Sequence, residues 1–449
     1  MTPTVHGLHD DALANTSYLV EVGEERAVVI DPPRDVDRHL ALAKQLNVEI
    51  VATLDTHLHA DYVSGATELA ASGVTAVVPE GATPSWAHQA IGDDEAIEFG
   101  SVSLRALATP GHTPEHIAYV LEVEGEPVGV FTGGSLILGG AARTDLLGSE
   151  RTEELAHAQF HSLQRLAKLP DATALYPTHG AGSFCLAAAT TAAHPTIGSE
   201  RLANPLLGID DEDTFVENLT RGFGSFPTYY AHLQALNQAG PSPIESLGQP
   251  PALPAEEVAR RVEAGAWLVD ARPIHQWATG HPRGAVSNEL RPAFASWLGW
   301  VVPFGAPVVL LVAPERRPEA VRLARRIGYD DLAFLHGGLD AWRAAGLAVD
   351  TVEEVDAPVA RARQGKGALL LDVRQSAELD ALRIPGATHV ELGDLIAGAT
   401  PDAREVITFC GHGERSATAA SLLKRRGVQV ANLVGGTAAW VEAGLPVER

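Results

Sequence analysis

Cysteine is nearly absent from this chain: its 449 residues hold two, Cys185 and Cys410. Two thiols so far apart make no disulfide framework, and a chain this long can bury a core without one, so a reducing, cytoplasmic setting is expected. Positive charge is also scarce. Lys and Arg number 33 against 57 Asp and Glu, a net charge of −24. That argues against nucleic acid and anionic membranes as partners, because both attract basic patches. A solvated acidic surface accounts for the imbalance. No apolar run reaches the ~18 residues of a membrane span. The opening MTPTVHGLHDDALANTSYLV has neither the basic start nor the apolar stretch of a signal peptide.

What is present is an ordinary globular balance, over a length that suits two to four domains at ~100–200 residues each. The first ~200 residues alternate short β-branched runs, such as Tyr18–Val22, Ile50–Leu54 and Ile117–Glu122, with helical spacing at Arg38–Leu46 and Glu153–Leu166. Residues 200–250 read as a helical connector ending in the Pro-rich GPSPIESLGQPP, which sets a boundary near 250. The remainder contains a repeat. LVDAR (268–272) matches LLDVR (370–374), and HGGLDAWRAAGLAV (336–349) matches VGGTAAWVEAGLPV (434–447). Two copies of about 100 residues are too few for a solenoid and indicate tandem α/β domains.

In the last copy, Cys410 follows an apolar strand and opens the loop Gly411-His412-Gly413-Glu414-Arg415 before a helix expected from Ser416. Glycines there let backbone N–H groups turn inward, an anion-binding nest at a helix N-terminus. Such a site activates a thiol, which could hold sulfane sulfur as a persulfide. The alternative is a buried, inert cysteine. Counting back from the shared Gly-Gly turn, Val312 takes the cysteine position in the earlier copy and Arg317 aligns with Arg415. The Cys-x-x-Gly-x-Arg-Ser motif, LLDVR, IPGA and GGTAAW resemble the rhodanese family of sulfurtransferases. The resemblance implies that Cys410 carries the persulfide, that Gly411, His412, Gly413, Glu414 and Ser416 frame it, and that Arg415 helps bind the sulfur donor. Residues 250–352 then form a degenerate rhodanese-like domain without a nucleophile, and 353–449 an active one.

Residues 1–249 form the remaining domain. Its histidines cluster after strands: Thr56-His57-Leu58-His59-Ala60-Asp61-Tyr62, Pro110-Gly111-His112-Thr113 and Pro177-Thr178-His179-Gly180. His57 and His59, two residues apart on a tight loop, can converge on one metal, and imidazole suits iron and zinc alike. Each histidine alone would more often be structural; three such loops in order point to a site.

This pattern resembles the metallo-β-lactamase superfamily, and more specifically its persulfide dioxygenases, through THLHAD, TPGHTPEH, FTGGSLILGGAARTDL and YPTHG. The resemblance implies an αββα fold ahead of two parallel-sheet α/β domains. It also implies Fe(II) held by His57, His112 and a carboxylate, and oxidation of a low-molecular-weight thiol persulfide to sulfite with O2. Thiosulfate is a further sulfur partner, and a homo-oligomer is implied by family alone. Two positions depart from the pattern. Tyr62 replaces a histidine of the superfamily's second metal site, which weakens a dinuclear zinc thioesterase. Gly134 replaces the carboxylate ligand. Three outcomes stay open: His59 completes a three-histidine site, Asp61 or Asp145 restores a carboxylate, or metal is weak or absent and the domain only binds persulfide. In the last case the chain is a sulfurtransferase with binding modules. Arg143 resembles a residue of the thiol pocket and could meet a substrate carboxylate or form a structural ion pair. His179 resembles the superfamily's last metal-site histidine and is expected to bind metal or, without a second metal, to orient the ligands; His116 faces the pocket or packs, and Cys185 is expected to be a buried packing residue.

Overall fold

The computed structural model describes residues 3–180, 185 and 195–448. It divides into two compact units: Met1–Phe223 with Thr228–Gly248 and Arg325–Gly328, and Gly224–Pro227 with Gln249–Ala324 and Tyr329–Arg449.

The first unit is a β-sandwich flanked by helices. One sheet has six strands in the order Thr4–Asp10, Asn15–Gly23, Arg26–Ile30, Glu49–Leu54, Thr75–Pro79, Gln89–Ile91. The other has five, ordered Ala174–Pro177, Glu126–Gly133, Ile117–Val123, Val102–Ala108, Ala96–Phe99. Alternate residues of the two inner faces meet, Val20, Val28 and Leu54 from one and Leu104, Tyr119 and Phe131 from the other. Burying each such side chain contributes roughly 1.5–3 kcal/mol. Helix Asp37–Leu46 carries Asp37 in its first turn and Lys44 in its last, matching the helix dipole, and stops at Asn47 in the left-handed region. Helix Thr152–Leu166 buries Leu155, Gln159, Leu163 and Leu166, a stripe at three- and four-residue spacing, against the outer side of the second sheet. The helices foreseen at 38–46 and 153–166 are therefore present, one residue longer at their starts. The short strands Gln89–Ile91 and Ala96–Phe99 lie in a polar stretch that carries little periodic signal.

The second unit contains two parallel five-stranded sheets of the same order. They run Ala252–Leu253, Leu332–Leu335, Val308–Leu311, Trp267–Asp270, Val286–Ser287, and then Glu353–Val355, Val430–Leu433, Val406–Phe409, Leu369–Asp372, Thr388–His389. Helix Glu414–Arg425 is buried along much of its length by small residues, and Thr418 Oγ1 donates to the Ser287 carbonyl at 2.7 Å. This helix begins two residues before the expected Ser416, because Gly413 at φ 115° supplies the turn and Glu414 suits the first-turn dipole. Among the described residues, no helix is long and apolar enough to cross a membrane.

Candidate functional site

Four strand ends frame the histidine cluster of the first unit, three of them leading into its histidines. Glu49–Leu54 runs into the loop carrying His57, His59 and Asp61; Val102–Ala108 precedes His112; Glu126–Gly133 precedes Gly134; Ala174–Pro177 precedes His179. His57, His59, Asp61, His112 and His179 are all buried.

Each imidazole has one nitrogen tied and the other free of hydrogen bonds. His57 Nδ1 lies 2.8 Å from Thr56 Oγ1, whose hydroxyl donates to Asp31 Oδ2 at 2.8 Å, so the imidazole must be the donor. His112 Nδ1 donates to the Arg143 carbonyl at 2.7 Å. His179 Nδ1 meets Asn15 Oδ1 at 3.2 Å, and His59 Nε2 meets Asp31 Oδ1 at 3.3 Å and the Tyr62 hydroxyl at 3.1 Å. The opposite atoms are buried without a hydrogen-bond partner: Nε2 of His57, His112 and His179, Nδ1 of His59, and Oδ1 of Asp61. Buried polar atoms are nearly always satisfied. Four orphaned ring nitrogens, on imidazoles oriented through their other nitrogens, fit a divalent metal.

The ligating atoms of His57, His59 and His179 lie within 4.8 Å of one another, as do those of His112, His179 and Cys185. The rings of His57 and His112 are 4.9 Å apart between centroids. His179, expected either to bind metal or to orient its ligands, offers a free nitrogen to the same space, and Cys185, expected only to pack, stands beside it.

Burial and the neighbouring imidazoles hold His57 well below the ordinary histidine value. Burial takes His112 and His179 down to about 3. These rings are neutral at pH 7, the form that binds metal. His59 differs: burial lowers it, but the Asp31 carboxylate outweighs burial and raises it. Burial pushes Asp31 up, yet His59 and the bonds from Thr178 and Thr56 bring it below its usual range.

The surrounding residues are committed elsewhere. His116 accepts from the Gly134 N–H at 3.0 Å through Nε2 and pairs with Thr109 through Nδ1, so it braces the loop. Asp145 holds Arg143 through two bonds of 2.6 and 2.7 Å. Arg143 also stacks over Phe223, 5.3 Å from its centroid. The ion-pair arrangement is therefore the one present, and Asp145 would have to release Arg143 to reach a metal. Tyr62 donates to the Asp31 carbonyl at 3.1 Å.

Sequence reasoning missed three organising residues. Asp31, at φ 51°, receives bonds from Thr56, His59 and Thr178. Its signal was a carboxylate directly after an apolar strand and before Pro-Pro. Asn15 bridges Asp61 and His179. Asn237, in the helical connector, donates to the carbonyls of His59 and Tyr62 and fixes the metal loop from outside.

In the last domain Cys410 is buried at the end of strand Val406–Phe409, and its Sγ accepts the Gly413 N–H at 3.1 Å. Arg415 forms two bonds to Glu378, of 2.5 and 2.8 Å. Burial lowers the Arg415 pKa, but Glu378 and Cys410 outweigh it and hold it above its ordinary value.

A metallo-beta-lactamase superfamily model matches residues 10–179, and a rhodanese-like domain model matches 254–345 and 355–443. The mitochondrial persulfide dioxygenase of Bos taurus is 31% identical over 204 residues, 44% of this chain and 73% of that protein. The chain belongs to the metallo-beta-lactamase superfamily. It is an enzyme of that superfamily with two rhodanese-like domains in its C-terminal half. The hydroxyacylglutathione hydrolase of Aliivibrio salmonicida (strain LFI1238) is 32% identical over 168 residues, 37% of this chain and 61% of that protein. Among solved structures, a metallo-beta-lactamase from Staphylococcus aureus subsp. aureus COL superposes with a TM-score of 0.68 at 26% identity, covering 75% of this chain and 99% of that one.

Proposed function

We propose that the first unit oxidises a low-molecular-weight thiol persulfide to sulfite with O2, and that Cys410 moves sulfane sulfur between carriers. The observation that carries the first part is the set of buried, partnerless nitrogens on His57, His59, His112 and His179. The similarity to a protein named persulfide dioxygenase supports the choice of substrate. His57 and His59 would hold the metal, with His112 and His179 facing the same space; Asp61 carries an unengaged carboxylate oxygen on the same loop as His57 and His59. A bound Fe(II) supplies a redox-active Lewis acid able to engage both persulfide sulfur and O2. Zinc is the alternative occupant, and Gly134 lowers the negative charge available to retain either.

The chain's own residues do the positioning. Thr56 and the Arg143 carbonyl fix the tautomers of His57 and His112, so their Nε2 atoms stay aimed inward. Asp31 anchors two of the loops and Asn237 a third contact, which keeps the geometry set before substrate arrives. The balanced reaction is RSSH + O2 + H2O giving RSH, sulfite and two protons. The terminal sulfur is oxidised and O2 is reduced.

At Cys410 the thiolate attacks a sulfane sulfur, for example that of thiosulfate. The S–S bond breaks, sulfite leaves, and a cysteine persulfide forms. The Gly413 N–H and the start of helix Glu414–Arg425 stabilise the negative sulfur. Transfer can run from thiosulfate to a thiol or from a persulfide to sulfite. A reducing cytoplasm suits both thiols.

A thioester hydrolase is the second reading, favoured by the similarity to a hydroxyacylglutathione hydrolase and by the free Asp61 Oδ1 and His179 Nε2. Tyr62 weighs against it, since its hydroxyl is engaged with Asp31 and His59. Anaerobic loading with Fe(II) or Zn(II), followed by parallel assays of O2 uptake on a thiol persulfide and of thioester cleavage, separates the two. The proposal expects uptake with iron and negligible thioester turnover with either metal.

A further inference from the structure

The cysteine-less rhodanese-like domain keeps a cavity of about 750 Å³ at the position where its sister keeps a thiol. Val312 follows strand Val308–Leu311 as Cys410 follows Val406–Phe409, and it lines the cavity with Gln276, Arg317, Leu335 and Arg343. Its lining contains no cysteine.

The carboxylate that neutralises the loop arginine in the active copy is missing here. From Asp270 and Asp372 to Glu289 and Glu391 the two domains share a register of 102 residues: Ile274 N–H donates to Glu289 just as Ser376 N–H donates to Glu391. In that register Gln276 stands where Glu378 stands. Glu378 neutralises Arg415 through two bonds. Arg317, the counterpart of Arg415, has no such carboxylate. Among the described residues it forms no ion pair; its guanidinium lies over the Phe334 ring, 4.7 Å from the centroid, and its buried Nε has no hydrogen-bond partner. The three other arginines of the lining are already matched, Arg272 by Asp270, Arg316 by Glu319 and Arg343 by Asp340 at 3.8 Å. Asp340 is the one carboxylate that lines the cavity. An unneutralised guanidinium on an apolar cavity wall is a binding element for a carboxylate, which it can engage through two parallel bonds.

We infer that this cavity is a non-covalent site for a carboxylate-bearing low-molecular-weight thiol or its persulfide, anchored on Arg317. The thiol class rests on the sulfur chemistry proposed above; the anion site does not. A bare sulfur oxyanion would leave most of the volume empty, whereas pockets of ~300–1,000 Å³ are typical of sites for larger small molecules. With valine in place of cysteine, the domain holds the carrier without reacting with it.

The test uses the full chain carrying Cys410→Ser, so that no sulfur is transferred, and equilibrium dialysis against radiolabelled glutathione. Two further variants are Arg317→Gln and Gln276→Glu; the second installs the carboxylate that the sister domain already accommodates. The expected result is a glutathione-binding component weakened at least tenfold by either substitution, with unchanged melting. Equal binding in all three proteins would overturn the site. Competition by thiosulfate at concentrations equal to those of unlabelled glutathione would overturn the ligand class. Neither readout depends on O2 uptake or sulfur transfer, so a failed dioxygenase assay and a failed binding assay remain distinguishable.

Discussion

A Cβ built on Gly134 would stand 2.5 Å from Cδ2 of His112 and 2.9 Å from its Cγ. The imidazole ring thus fills the space into which a side chain at position 134 would grow. The two features belong together: a glycine at 134 lets His112 pack close, and a carboxylate there would require the ring to move. Gly134→Ala is expected to cost about 1–3 kcal/mol of stability through overpacking and to lower the metal content of the purified protein. Calorimetry and elemental analysis check both. Unchanged melting and unchanged metal would show that His112 shifts freely.

Cys410→Ser is expected to abolish sulfur transfer from thiosulfate while sparing oxidation of a supplied persulfide, because Cys410 and the histidines proposed for oxidation lie in different units. A cyanide-acceptor assay for transfer and an oxygen electrode for oxidation give the separate readings. Loss of both together would contradict separable sites.

His39 gives the first unit an acid sensitivity. It is buried, bonded to Ser17 Oγ at 2.8 Å, and its Nδ1 has no partner. Burial lowers its pKa from 6.5 to about 4, against the opposing pull of Asp35. The unfolded chain therefore binds a proton that the folded one refuses, between pH 6.5 and about 4. Stability is fully present above pH 6.5 and falls as pH drops through that window, by roughly 3 kcal/mol at most from this group. His39→Gln is expected to flatten the dependence of the denaturation midpoint on pH across that range. An unaltered slope would assign the acid loss to other buried histidines.

The strand-end histidines and the cysteine loop were legible because each rests on a local pattern, a short apolar strand followed closely by Asp-Thr-His, Pro-Gly-His, Pro-Thr-His or Cys-Gly-His-Gly. Asp31 and Asn15 were not, because their roles arise from pairings distant in sequence: Asp31 to Thr178 spans 147 residues and Asn15 to His179 spans 164. Asn237 was hidden in a segment that reads as a connector, although its side chain holds the His59 carbonyl. The tandem α/β domains were legible from the repeat, and their parallel sheets from the resemblance to the rhodanese family. The loss of charge balance at Gln276 becomes visible only when the two copies are laid on one register and Glu378 is seen bonded to Arg415.

The central claim is oxidation of a persulfide at the histidine cluster. Oxygen uptake by protein loaded anaerobically with Fe(II), given glutathione persulfide, with sulfite measured alongside, tests it most directly. The account predicts persulfide-dependent uptake, one sulfite formed per O2 consumed, and loss of both in His57→Ala. Retained iron with no uptake, or a His57→Ala protein that matches the parent, would contradict it and leave Cys410 as the catalytic centre.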